Sequence, residues 1–260
     1  MLKPTINPPL KQVFPLLLLL TGLFVLVWEL PILPGLVGTT IMSLPMHIFT
    51  ETFSIVIAAM VFGVAYTASS ERPGPIVFLG CALLVVGLLD FGHLLSFKGM
   101  PDFATPADRE KGLNFWLAAR LFFALAMVLF ALLPWRPMVY PRRRHWLLAG
   151  GLFLVGLIYW LALYHQELWP RTYVVGQGLT PFKIGAELTA IAIMLLAAAL
   201  FFRQARSPAP PYNATSLFAA LIITCLSELT FIVYADVTDI FNLMGHLYKI
   251  IAYGFIYQAV

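Results

Sequence analysis

The chain reads as all-α: a polytopic membrane bundle of about eight transmembrane helices with both termini cytoplasmic. Three observations carry that reading. Of its 260 residues 61% are hydrophobic and 11% charged, with mean hydropathy +0.89, whereas a soluble domain carries roughly 25% charged residues. Apolar runs near the length of about 20 residues that a membrane span needs recur eight times. Prolines and glycines punctuate the gaps between them.

The first run, 13–33, resembles a signal peptide, but no small-residue cleavage site precedes its polar break and seven more runs follow. It is therefore read as an uncleaved span. Pro31 and Pro34 close it. The second run, 46–68, ends before Pro73-Gly74-Pro75, and the third, 76–97, ends before Pro101. The fourth, 113–134, stops at Pro134 and Pro137. The fifth is 145–164, separated by Pro170 from the sixth, 181–202. Pro208-Ala-Pro210-Pro211 precedes the seventh, 215–235, and the eighth is 240–258. No internal repeat or disordered tail stands out, so residues 1–260 are read as a single integral-membrane domain. Cys81 and Cys225 lie in apolar runs without a CxxC partner, which fits core packing rather than a disulfide.

Basic residues set the orientation. Lys3, Lys11, Arg72, Arg136, Arg142, Arg143, Arg144, Arg203 and Arg206 fall on one side, nine in all. Lys98, Arg109, Lys111 and Arg171 fall on the other, three of them beside Asp102, Asp108 and Glu110. The richer side is cytoplasmic by this rule, and the modest formal charge of +4 marks loops rather than a nucleic-acid surface. Glu29, Asp90, His93 and Glu228 then come late in outward spans. His47, Glu51, Asn114, Arg120, Lys183, Glu187, His246 and Lys249 come early in inward spans. The intramembrane polar groups thus collect in the outer half of the bilayer.

An ionisable group at membrane depth costs at least a few kcal/mol unless paired, hydrated or ligated, so each is a candidate for function. Asp90-Phe-Gly-His93 places a carboxylate and an imidazole on one helical face, with Gly92 permitting a close neighbour. His47 and Glu51 stand one turn apart, as two metal ligands or a ligand with its supporting base would. His246-Leu-Tyr-Lys249 adds an imidazole and a charge, for which Glu228 or Glu187 is the expected partner. Lys183 and Glu187 have the spacing of an intrahelical pair, and Arg120 requires a carboxylate or an anionic ligand. His145 and His165 read as interfacial. Trp135, Trp146, Trp169, Tyr140 and Tyr173 fit an aromatic belt.

The expected metal ligands are His47, Glu51, Asp90, His93 and His246. Arg120, Lys183, Glu187, Glu228, Lys249, Asn114 and Asn242 are expected to bind a ligand around them. The nitrogen and carboxylate donors suit a divalent metal, two imidazoles suit axial haem ligation, and the same groups without metal suit a small polar ligand or a quinone headgroup. Spacing leaves these three open, because the donors come from different helices.

At these residues the chain resembles the third type of bacterial membrane-associated sensor domain, of the MASE group. The resemblance rests on His47xxxGlu51, on Phe78-Leu-Gly-Cys-Ala through Leu-Leu-Asp90-Phe-Gly-His93 to Lys98-Gly-Met, on Asn114-Phe-Trp-Leu-Ala-Ala-Arg120, and on Asn242-Leu-Met-Gly-His246-Leu-Tyr-Lys249-Ile-Ile-Ala-Tyr253. It implies an N-terminal sensory module in the bacterial inner membrane, of the kind fused to histidine kinases (two-component signalling) or diguanylate cyclases (cyclic di-GMP signalling). This chain departs from that arrangement by ending at Gln258-Ala-Val260 with no output domain, as an excised sensor or one acting alone would.

The expected function is thus non-enzymatic reception, with the signal leaving along the last span. Expected partners are membrane lipids, a cytoplasmic output domain and, as an open option, a second copy of the chain. Nucleic acid is not among them. The rival is a membrane-embedded zinc hydrolase acting on a lipid amide or ester, with His47, His93 and His246 on zinc and Asp90 or Glu51 activating water. An ion relay is disfavoured, since the inner half lacks polar groups to complete a path.

Overall fold

The computed structural model describes residues 7–29, 41–68, 73–137, 142–174, 176–233 and 239–260. Lys3, Pro31, Pro34, Arg72 and Tyr140 lie outside them. Eight α-helices carry the chain: α1 (Phe14–Glu29), α2 (Leu44–Thr67), α3 (Gly74–Ser96), α4 (Arg109–Leu132), α5 (Arg143–Tyr164), α6 (Pro181–Ala205), α7 (Ala214–Val233) and α8 (Ile240–Ala259). A helix satisfies its own backbone, which hydrocarbon demands of any spanning segment.

Seven of these helices are long and apolar enough to cross a membrane. The eighth span expected at 240–258 forms as α8, but α8 is not among the seven. Asn242, His246, Lys249 and Gln258 dilute its hydropathy.

The helix starts follow from local chemistry. Asp108 caps α4, its carboxylate accepting from the backbone N–H groups of Glu110 and Lys111 at 2.6 and 3.1 Å. This N-cap starts the helix four residues before the apolar run does. Asp239 caps α8 through Asn242 N at 2.9 Å. Asn213 caps α7 through Ser216 N at 3.0 Å, and Asn7 accepts from Thr215 N at 3.0 Å. Pro75 sits in the first turn of α3, where its missing N–H costs nothing. A two-stranded hairpin between α5 and α6, β1 (Tyr173–Val174) and β2 (Gly178–Leu179), pairs antiparallel. No periodicity announces it, because two-residue strands are too short to alternate.

The structure resolves into two packed units, Met1–Ser54 with Met194–Val260, and Ile55–Ile193. The division falls inside α2 and α6. In the first unit α8 packs along α7, and Tyr248 Oη donates to the Leu20 carbonyl of α1 at 2.7 Å. A methyl group at Gly245 would overlap Thr230 Oγ1 and the Phe231 ring, so the α7–α8 approach depends on glycine there. Ser227 Oγ donates to the Gly245 carbonyl at 2.7 Å across the same seam.

In the second unit α3, α4 and α5 share a core of Val85, Leu89, Phe115, Ala119, Val155 and Ala162. Tyr159 of α5 donates to the Leu88 carbonyl at 2.6 Å. Gly92 lies against Phe115 and Tyr159, so the close neighbour its missing side chain admits is an aromatic pair of this protein. Lys111, counted from sequence as a loop charge, is instead a buried residue in the first turn of α4. Its Nζ donates to the Thr105 carbonyl at 2.9 Å, to Thr105 Oγ1 at 3.1 Å and to the Phe103 carbonyl at 3.4 Å. The loop before α4 wraps around it, with Ala104 at φ 59°.

Candidate functional site

Two buried polar clusters emerge, one in each unit. In the first unit, helix periodicity aligns His47 with Glu51 in the opening turns of α2, and His246 with Lys249 in α8. Lys249 Nζ donates to both Glu51 oxygens, at 3.0 and 2.8 Å. His246 Nδ1 stands 3.3 Å from Glu51 Oε1, and the His47 and His246 rings pack with centroids 4.9 Å apart. Phe231 covers His246 at 5.1 Å between centroids. His47 is 1% exposed, Glu51 0%, His246 2% and Lys249 1%. One carboxylate therefore pairs with an ammonium and lies beside an imidazole, with a second imidazole tilted against the first, all buried.

The partner of Lys249 corrects the sequence expectation. Neither Glu228 nor Glu187 fills that place. Glu228 is a buried residue of α7, and Glu187 pairs elsewhere. Asn242 is buried at the start of α8.

In the second unit, Arg120 Nη2 donates to both carboxylate oxygens of Asp90, at 2.7 and 3.0 Å. Its guanidinium lies 4.7 Å from the Trp116 ring centroid, a stacked geometry that adds to the ion pair when desolvated. Trp116 Nε1 donates to Glu187 Oε1 at 3.3 Å, and Lys183 Nζ sits 2.7 Å from Glu187 Oε2. The chain Asp90–Arg120–Trp116–Glu187–Lys183 thus ties α3, α4 and α6 with two acids and two bases. Arg120 finds its required carboxylate, and the i, i+4 pair in α6 forms as its spacing indicates. Sequence reasoning passed over Trp116; its signal was the i, i+4 relation to Arg120.

His93 belongs to this second unit. Its Nδ1 lies 2.8 Å from the Gly112 carbonyl. A carbonyl only accepts, so Nδ1 carries a proton in this contact. Trp116 packs on it at 5.3 Å between ring centroids. Of the three intramembrane imidazoles, His47 and His246 are brought together within one unit. Asn114 is buried in α4, and its Oδ1 makes no hydrogen bond among the described residues. His145 and His165 are helix-end groups, His145 Nδ1 lying 2.8 Å from Tyr66 Oη and His165 Nδ1 3.1 Å from Glu167 Oε1. Cys81 and Cys225 are buried free thiols.

The first cluster offers two imidazoles and a carboxylate, a donor set that suits a borderline divalent ion. The nearest donor atoms of His47 and Glu51 lie within 4.8 Å of each other. Lys249 occupies the carboxylate a metal would take. Axial ligation of one haem by both His47 and His246 does not fit: two axial imidazoles approach one iron end-on from opposite faces of the macrocycle, and these rings pack on each other.

No curated protein and no solved structure matches the chain. A family model described as a membrane-associated sensor domain, MASE3, matches residues 40–260, which takes in every residue of both clusters. The match spans most of the chain, and the chain belongs to the MASE3 family of membrane-associated sensor domains.

Proposed function

We propose that the His47–Glu51–His246–Lys249 cluster is the stimulus-reading site of this sensor, and that a divalent transition metal is what it reads. The reading is supported by one observation above the others. Buried Glu51 is bonded by the Lys249 ammonium at both oxygens and has the His246 imidazole 3.3 Å away. The second unit's network, by contrast, pairs its acids and bases evenly and reads as structural bracing.

Without metal, Lys249 neutralises Glu51. With metal, His47 and Glu51, whose donor atoms lie within 4.8 Å of each other, would hold the ion, with His246 at 3.3 Å from Glu51 as the further donor; the ion supplies the positive charge that Glu51 otherwise takes from Lys249. Two cations cannot share one buried carboxylate cheaply, since breaking a buried pair costs about 3–5 kcal/mol. The ammonium must therefore move. A ligand shifts a conformational equilibrium only by its differential affinity for the two states, and this exchange of cations provides one. Lys249 and His246 belong to α8, whose seam with α7 is tight at Gly245. Displacement of Lys249 would thus be relayed as movement of α8 against α7.

The orientation that goes with this reading follows the charge count, with both termini cytoplasmic and the cluster in the outer half of the bilayer of a bacterial inner membrane. The output would be a cytoplasmic histidine kinase or diguanylate cyclase module coupled through α8, and the domain itself performs no catalysis.

The test is cobalt binding to the purified protein, read by visible ligand-field absorbance and equilibrium dialysis. Wild type takes up about one equivalent, and Glu51→Gln and His246→Ala lose it. Lys249→Met removes the competing ammonium and binds more tightly than wild type. Failure of wild type to bind cobalt or zinc overturns the metal reading. Metal-dependent hydrolysis of a lipid amide would transfer the site to the hydrolase class.

A further inference from the structure

At the opposite end of α3, α4 and α5 from the Asp90–Arg120 network, the second unit opens a cleft of about 590 Å³. Phe78, Leu133, Trp146 and Leu147 are among its walls, and Arg136 and Arg143 line it as well. A second groove of about 260 Å³ shares Phe78, Trp146 and Leu147 with the first and continues along α3 to Val85 and along α5 to Leu154. Its α5 side is kept open at Gly150, where an added methyl would meet nothing. From Phe78 to Val85 the helix rises about 10 Å, roughly two-thirds of the hydrocarbon depth of one leaflet.

The cleft combines several features of a binding site. The N-termini of α3 and α5, both long helices, border it through Gly74 and Arg143. The Gly74 amide of α3 is taken by the Arg136 carbonyl at 2.9 Å, so it is the start of α5 that presents the positive end of a helix dipole. Two guanidiniums reinforce that field, and the volume falls within the range of about 300–1,000 Å³ typical of small-molecule sites. Below the charges every wall is apolar. A free anion would leave those walls bare, and an uncharged hydrocarbon would not answer the positive charge at the rim. Trp146, 77% exposed, stands where the polar and apolar parts meet, as an interfacial indole does.

We infer that this cleft binds one anionic phospholipid. Its phosphate lies between Arg136 and Arg143, and an acyl chain runs along the groove toward Leu154. Basic pockets between transmembrane helices take anionic headgroups in this way. The inference stands apart from the metal reading, since it concerns other residues, in the other unit.

The experiment uses the full chain in phosphatidylcholine nanodiscs doped with acyl-brominated phosphatidylglycerol or acyl-brominated phosphatidylcholine. The Trp146 share of the fluorescence is obtained by difference from Trp146→Phe. Brominated phosphatidylglycerol is expected to quench that share at about thirtyfold lower mole fraction than brominated phosphatidylcholine, which is two basic contacts at about 1 kcal/mol each. Raising the salt, or the double variant Arg136→Gln/Arg143→Gln, brings the two lipids together. Equal quenching in wild type overturns the inference. So does a preference that salt leaves untouched, which needs no variant to fold. Relief of quenching by millimolar inorganic phosphate would also overturn it, by showing a site for the free anion.

Discussion

Lys249 Nζ sits 3.0 and 2.8 Å from the two oxygens of Glu51, and the pair joins helices 198 residues apart in sequence. Each group is buried, so removing either strands the other in hydrocarbon-like surroundings. Glu51→Gln and Lys249→Met should each destabilise the protein by about 3–5 kcal/mol. The double variant leaves no stranded charge and should cost less than the sum of the singles. Reversible unfolding in mixed detergent micelles reads all four corners of that cycle. Additive singles would show that the contact carries no coupling energy.

The Asp90–Arg120 pair gives a second cycle with a different outcome. Arg120 keeps the Trp116 ring as a partner when Asp90 is lost, but a ring face at about 0.5–2 kcal/mol does not replace a carboxylate. Asp90→Asn is therefore expected to cost several kcal/mol, in the same range of about 3–5. Asp90→Asn with Arg120→Met should recover most of it, because an apolar side chain of similar length fills the space without a charge. Thermal melting followed by scattering-free circular dichroism measures this. If the pair instead carried the signal, the double variant would be stable and yet deaf to stimulus, so the output activity of a fused kinase or cyclase belongs in the same experiment. As bracing, the pair predicts a stable double variant that still responds.

These two pairs show what the sequence could and could not disclose. Span limits were legible to within a few residues at most ends, because capping residues such as Asp108 and Asp239 and the prolines at Pro75 and Pro181 act locally. The polar face of each helix was legible too, since i, i+3 and i, i+4 spacing fixes which side chains share a face. Which helix that face meets was not. Lys249 reads equally well against Glu228, Glu187 or Glu51 from spacing alone, and only packing selects Glu51. Lys111 was misread for a related reason. Charge counting assigns a lysine between two spans to the water, whereas the Phe103–Thr105 turn supplies carbonyls that replace water. The requirement of Arg120 for a carboxylate needed no such knowledge, and Asp90 was the acid at matching depth in the adjacent span.

The last prediction concerns the route from site to output. Gly245 precedes His246, and a methyl there would overlap Thr230 Oγ1 and the Phe231 ring, the same ring that packs on His246. Gly245→Ala must therefore push α8 away from α7 or turn Phe231 out of its place. Overpacking of this kind costs about 1–3 kcal/mol, which a stable helix bundle survives. Its effect on signalling should be larger than its effect on stability, because α8 carries both His246 and Lys249. In a fusion with a diguanylate cyclase or kinase, Gly245→Ala should hold the output at one level with and without metal while cobalt uptake persists. Gly254→Ala in the same helix, where an added methyl meets nothing, serves as the matched control and should leave the response intact. A Gly245→Ala fusion that responds like wild type would show that the α7–α8 seam is not the path.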